Sequence, residues 1–305
     1  MGERMKTDAE SKERLEIRWP EPPPDWALAW SGTEARDNIS PQVHVWAATL
    51  DLPAAALSAC QETLSGTELA RAARFRFQQH RNRFIAGRGL LRVILGRYLQ
   101  IEPRAIEFAY GPQGKPFLAE PLPRPIVQSD DSSKPPRRSP ASKAGAQAPE
   151  APAPRALEFN LAHSQNLALL AVSASGPIGV DVELIRLMPD AGELVARFFS
   201  ERETEACNTL PKAGRAAAFF NLWTRKEAWL KATGEGIGHS LNQVEVSFLP
   251  GEPARLIALP KGWQAAKEWK LSDLSPAPGF AGALAMAAPN PRLSCWKWSA
   301  EWMPK

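Results

Sequence analysis

Cysteine and histidine are scarce in this chain. Its three cysteines, Cys60, Cys207 and Cys295, lie far apart with no Cys-x-x-Cys pair, and only four histidines are scattered through 305 residues. The odd, dispersed cysteines exclude a disulfide framework, and nothing has zinc-site spacing, so a metal here would be a hard cation held by oxygen. Long apolar runs are missing as well, too short throughout for a signal peptide or a membrane span. The expectation is a cytoplasmic protein with no membrane partner. Net charge is small, 37 Lys and Arg against 33 Asp and Glu for +4, and there is no nucleic-acid motif, so no nucleic-acid partner is expected. The positive charge is uneven, however. Eight arginines and no acid lie between Arg71 and Arg97, which marks that segment for contact with phosphates.

What is present is an ordinary globular composition, 44% hydrophobic, with room for one large or two modest cores. Residues 1–40, with the run PEPPPDW and little periodicity, read as a poorly ordered N-terminal extension or a tail lying on the body. A strand is expected at QVHVWAATL, then a helix capped by Ser65 in SGTELARAARFRF, and a longer helix through HRNRFIAGRGLLRVILGRYLQ. Residues 119–156 are rich in Pro, Ser and Ala and cannot bury enough apolar surface to offset their ordering entropy. They read as a disordered insertion, looped out so that the segments on either side meet.

The chain resumes with LEFNLAHSQNLALLAVS, two strands around a turn that contains His163, followed by IGVDVELIR. Helices follow in AGELVARFFSERETEAC and in GRAAAFFNLWTRKEAWLKATGEG, with Gly234 and Gly236 as the stop. The rest, to Trp302, consists of short strands, and Trp296, Trp298 and Trp302 are expected to anchor the core and the second sheet. Each half runs strand, helices, strands. The fold class is therefore α+β, with two similar lobes at 41–175 and 176–303.

Asp181 and Glu183 stand two apart on a strand, so they share a face and repel each other. Glu227 lies on a helix covered by Phe219, Phe220, Leu222, Trp223, Trp229 and Leu230, with Lys231 one turn on and Lys226 beside it. Buried charges need partners. Three carboxylates would suit a divalent cation such as Mg²⁺, and a half-exposed strand facing Arg186 would serve Asp181 and Glu183 equally well. For Glu227 and Lys231 the plain alternative is a solvated helix pair.

The ordered set Gly-Lys-Pro (114–116), Phe-Asn-x-x-His-Ser (159–164), Gly-Val-Asp-Val-Glu (179–183) and Trp-x-x-Lys-Glu-Ala-x-x-Lys-x-x-Gly (223–234) resembles the 4′-phosphopantetheinyl transferases of the Sfp type, over about residues 64–247 without the insertion. The resemblance implies a pseudo-dimer of two α+β lobes with coenzyme A in the cleft between them. It implies transfer of phosphopantetheine to a serine of an apo acyl or peptidyl carrier protein or related carrier domain, releasing adenosine 3′,5′-bisphosphate, by a monomer. It further implies that Asp181, Glu183 and Glu227 hold Mg²⁺, that Glu227 or a water it orients takes the serine proton, and that Lys231 contacts the pyrophosphate. Lys226 matches a second family lysine and is assigned to coenzyme A. Tyr110 to Pro116 would hold the adenine with Lys115 near phosphate, and His163 with Arg71, Arg83 and Arg88 would form the 3′-phosphate pocket. Glu203 matches a family acid. Three departures stand out: Ala162 where the family commonly has Ser, extra residues between Tyr110 and Lys115, and the insertion. They leave a non-catalytic coenzyme A-binding homologue of the same fold as the alternative.

Overall fold

The computed structural model of the chain describes residues 19–23, 42–120, 122, 157–188, 191–236, 241–249, 251–263, 266–288 and 290–302. The expected disorder of 119–156 falls almost wholly outside these residues, as does most of the N-terminal extension. Trp19 and Pro20 of that extension lie on the body: the Trp19 indole donates to Ser275 O at 3.0 Å, and Lys297 N donates to Pro20 O at 2.9 Å.

The fold is mixed α+β and is built around two sheets, the first mixed and the second antiparallel. The first contains β1 (Gln42–Thr49), β4 (Glu158–Ser164), β5 (Leu167–Ser173) and β11 (Arg292–Lys297), in the order β11-β1-β5-β4. The second contains β6 (Ile178–Leu184), β9 (Lys270–Leu274) and β10 (Phe280–Met286), in the order β6-β10-β9. Two small hairpins are separate: β2 (Phe108–Tyr110) with β3 (Pro116–Leu118), and β7 (Glu245–Val246) with β8 (Leu256–Ala258).

The helices fall into two matching sets. The first is α1 (Ala54–Thr63), α2 (Gly66–Ala73) and α3 (Gln78–Leu99), and the second is α4 (Ala191–Phe198), α5 (Glu201–Thr209) and α6 (Lys212–Thr233). Both α2 and α5 begin with a complete capping box, Ser65 with Glu68 and Ser200 with Glu203, in which the serine and the acid three residues on satisfy each other's backbone N–H. Both α3 and α6 have 22 residues and end on a left-handed residue, Gln100 and Gly234. In each set the capping acid also reaches a basic side chain on the long helix, Glu68 to Arg92 and Glu203 to Lys226.

Alternation along the strands sets the packing. Helix α3 covers one face of the first sheet over Trp46, Leu170 and Val172, and α6 covers the second sheet over Ala281, Ala283 and Ala285. The opposite faces meet in a third cluster, Val43, Val45, Leu169 and Ala171 against Ile178, Val180, Val182 and Leu284. The described residues thus form three cores, the third joining the halves. One boundary differs from expectation. Strand β11 does not stay with residues 176–303 but pairs in parallel with β1, Val45 opposite Cys295 and Trp46 opposite Trp296. Trp296, Trp298 and Trp302 accordingly pack into the first core beside Trp46 rather than on the second sheet. The cause is long-range pairing, which alternation within the strand does not encode.

Candidate active site

The odd residues of β6 face α6, and the contact is as close as backbones allow. A Cβ added at Gly179 would stand 2.1 Å from Ala228 O and 2.3 Å from Ala232 N, so only glycine lets the helix lie on the strand here. That approach brings Asp181 and Glu183 to the segment of α6 that carries Glu227 and Lys231. Asp181 and Glu227 are each 5% exposed. Lys231 Nζ donates to Asp181 Oδ1 at 2.6 Å. Glu183 Oε2 accepts from the Ser164 hydroxyl at 2.7 Å, with the Arg186 guanidinium 3.6 Å away. Asp181 Oδ2 and Glu227 Oε1 are buried and meet no donor among the described residues.

Three carboxylates against the single lysine bonded to Asp181 leave the cluster short of positive charge, and the protonation equilibria record it. Burial first, opposed by Lys231 but reinforced by Glu183, pushes Asp181 up to about 6. Burial first and the charge of Asp181 next push Glu227 up to about 7. Burial works against the Lys231 ammonium, but Asp181, Glu227 and Glu183 together raise its pKa. A carboxyl poised near neutrality is suited to accept a proton from a hydroxyl. Among the described residues no three carboxylate, imidazole or thiol groups are gathered as a ready cation site, and the Lys231 ammonium sits at Asp181. The donor set still fits a hard divalent cation: all ligands are oxygen, two of those oxygens are buried and unpartnered, and the mutual repulsion is incompletely offset.

His163 belongs to this neighbourhood. It ends up within β4 rather than in the turn, which is made by Gln165 and Asn166, and it is exposed. Desolvation of its ring, then the Lys231 charge, lower its pKa, with Glu183 opposing.

Lys226 is a correction. It is adjacent to Glu227 in sequence but about 100° round the helix, and it is 0% exposed. Its ammonium donates to Glu203 Oε2 and to Leu241 O, and Glu203 Oε1 accepts from Val246 N at 3.0 Å. A lysine locked beneath the Phe199 ring in this way cannot reach coenzyme A. Its role, and that of Glu203, is to tie α5, α6 and the β7 hairpin together.

The arginines expected around a phosphate are mostly committed elsewhere. Arg83 forms a two-pronged pair with Asp51 at 2.7 and 2.8 Å. Arg88 and Arg92 both bind Glu68, Arg88 lies over the Phe108 ring, and its Nη2, which also lies against Glu68, donates to the Tyr110 hydroxyl at 3.2 Å. Arg71 lies against the Phe84 ring and is exposed, and among the described residues no carboxylate pairs with it. Lys115, after Gly114 with φ of +78°, donates to Ile178 O and Ala232 O, both at 3.2 Å. It is a tie between the β2–β3 hairpin and the second half, placed at the carbonyl end of α6 where the helix dipole favours a cation.

Residues that the motifs contain but to which the sequence reading gave no role are Gly179, whose lack of a side chain sets the β6–α6 distance, and Asn160 and Ser164, whose side chains reach across to β6. Their signal was the four-residue spacing on one strand, which puts both on the same face.

Comparison with known proteins adds the family. Residues 46–132 match the N-terminal domain of 4′-phosphopantetheinyl transferases, and residues 177–285 match the 4′-phosphopantetheinyl transferase superfamily. The 4′-phosphopantetheinyl transferase HetI of Nostoc sp. is 39% identical over 273 residues, covering 90% of this chain and 95% of its own. A 4′-phosphopantetheinyl transferase of Bacillus subtilis is 24% identical over 70% of this chain and 82% of its own, and Sfp of Bacillus subtilis is 25% identical over 57% and 61%. With the acid cluster on β6 and α6 falling inside the matched region, this chain belongs to the 4′-phosphopantetheinyl transferase superfamily.

Proposed function

We propose that this chain is an enzyme that transfers the 4′-phosphopantetheine group of coenzyme A to a serine hydroxyl of an apo carrier protein. The bond from the serine oxygen to the phosphopantetheine phosphorus forms, the bridging P–O bond of the pyrophosphate breaks, and adenosine 3′,5′-bisphosphate leaves. The observation that carries this reading is the buried cluster of Asp181, Glu183 and Glu227 with two unpartnered carboxylate oxygens, on a chain whose relatives over most of its length are named as such transferases.

Asp181, Glu183 and Glu227 would hold Mg²⁺. Bound there, the ion would supply the charge that neutralises a pyrophosphate. Glu227, or a water that it orients, accepts the serine proton. Lys231, fixed against Asp181, presents the ammonium that stabilises the leaving bisphosphate. His163 and Arg71 remain as the groups able to face the 3′-phosphate of coenzyme A. The repeated capping boxes and paired 22-residue helices support a pseudo-dimer of two lobes with coenzyme A between them. In this reading the chain works as a cytoplasmic monomer on an acyl, peptidyl or related carrier domain.

The test is incubation with coenzyme A, Mg²⁺ and apo acyl carrier protein, followed by intact mass of the carrier, with EDTA as control. A Mg²⁺-dependent gain of one phosphopantetheine is the expected result. No gain on acyl or peptidyl carriers, by folded protein that binds coenzyme A equally with and without Mg²⁺, would favour a non-catalytic binding protein.

A further inference from the structure

Strands β4 and β6 are the edges of their two sheets, and an edge strand leaves a row of backbone N–H groups in need of acceptors. On β6 two of these are supplied by side chains. Val180 N donates to Asn160 Oδ1 at 2.9 Å, and Leu184 N donates to Ser164 Oγ at 3.1 Å. Both partners lie twenty residues apart in sequence, so the register is the same at each crossing. Between them Ala162 offers no acceptor, and Val182 N turns to the Asp181 carboxylate instead.

The two crossings differ in one respect. Asn160 only accepts, whereas the Ser164 hydroxyl, having accepted from Leu184 N, has a single proton left and gives it to Glu183 Oε2 at 2.7 Å. Its direction is therefore fixed at both ends: the backbone of β6 sets where the oxygen sits, and the oxygen sets where the Glu183 carboxylate lies. Ser164 is buried, so water does not compete for that proton. Arg186, at 3.6 Å and half exposed, is a poor substitute for orienting the same oxygen.

We infer that Ser164 is a positioning residue that holds Glu183 in its place in the acid cluster, and that the first lobe thereby sets the cation affinity of the second. This deepens the proposed function and rests on the Mg²⁺ reading given there. Groups that orient a ligating carboxylate typically change metal affinity by about 10–100-fold when removed.

The experiment measures Mn²⁺ binding by electron paramagnetic resonance, with coenzyme A present and no carrier, alongside the melting temperature. Ser164→Ala should weaken Mn²⁺ binding at least about tenfold. Asn160→Ala loses the equivalent crossing without touching Glu183, and should lower the melting temperature while leaving Mn²⁺ affinity within about twofold. If the alanine variant at 164 does not fold, Ser164→Cys, close in size with a much weaker donor, reports on the same bond. Wild-type affinity in folded Ser164→Ala would overturn the assignment, as would an equal loss in Asn160→Ala, which would place the effect in the junction as a whole. Wild-type protein that binds no Mn²⁺ under these conditions overturns the cation reading itself and this inference with it, an outcome distinct from the other two.

Discussion

Replacing Glu227 by glutamine should make the protein more stable and inactive at once. The glutamate is buried, and burial together with Asp181 raises its pKa from 4.5 to about 7. The folded carboxyl therefore holds its proton more tightly than the unfolded one does. Its contribution to stability is complete below pH 4.5 and is lost as the pH rises through 7. At 1.36 kcal/mol per tenfold difference in proton affinity, the ionised glutamate costs the fold about 3 kcal/mol at pH 8 and about 1 kcal/mol at pH 5. The glutamine carries no charge, so urea unfolding in EDTA should find the variant ahead by a margin that grows by up to about 2 kcal/mol between pH 5 and pH 8. The margin is an upper bound, because a buried amide without partners has its own cost. Added Mg²⁺ should stabilise the wild type and not the variant, and transfer to a carrier should fall at least about 100-fold. A variant that is less stable than wild type at pH 8, or a margin that does not change with pH, would refute the claim that unoffset negative charge strains this site.

Gly179→Ala should unfold or destabilise the chain by about 3 kcal/mol or more, since its Cβ would overlap the Ala228 carbonyl at 2.1 Å; a melting curve close to wild type would show that α6 can lift from β6. Lys226→Met should cost about 3–5 kcal/mol through the stranded Glu203, and the Glu203→Gln/Lys226→Met double variant should recover much of it. A changed KM for coenzyme A with unchanged stability would return Lys226 to the binding site. His44 is held down to about 3 by burial, hydrogen-bonded to the Tyr98 hydroxyl at 2.7 Å. Its effect on stability is absent above pH 6.5 and grows as pH falls toward 3, reaching about 5 kcal/mol, so His44→Leu should flatten the acid limb of the stability profile. An unchanged acid limb would mean that His44 charges in place.

Much of the site was legible because it obeys local periodicity. Two carboxylates two apart on a strand must share a face, and a helix clothed in Phe219, Phe220, Leu222 and Trp229 must be buried, so spacing paired Asp181 with Glu183 and placed Glu227 on a buried helix, while the family resemblance joined the three. What spacing could not decide was which way a neighbouring side chain turns. Lys226 reads as part of the same motif as Glu227, yet its partner Glu203 comes from another helix and is found only through packing. The arginine segment failed similarly: lack of acids within it suggested free charge, while Asp51 and Glu68, just before it, take up Arg83, Arg88 and Arg92. The helices other than α1, which the sequence reading missed, and the strands β1, β4, β5 and β6 were readable from pattern and caps. The partner of β11 was not, since parallel pairing over some 250 residues leaves no local trace.

That pairing has a consequence for how the molecule is made. The strand at the edge of the first sheet, β11 at Arg292–Lys297, lies against β1 at Gln42–Thr49, so during synthesis the sheet begun by β1 waits for a strand made some 250 residues later before it is complete. Until then β1 presents an open edge, and Trp46 lacks the Trp296 and Trp302 rings that cover it. The two halves cannot be separated by cutting between β5 and β6 without taking a strand from the first, and β11 buckles the second half of the chain to the sheet of the first.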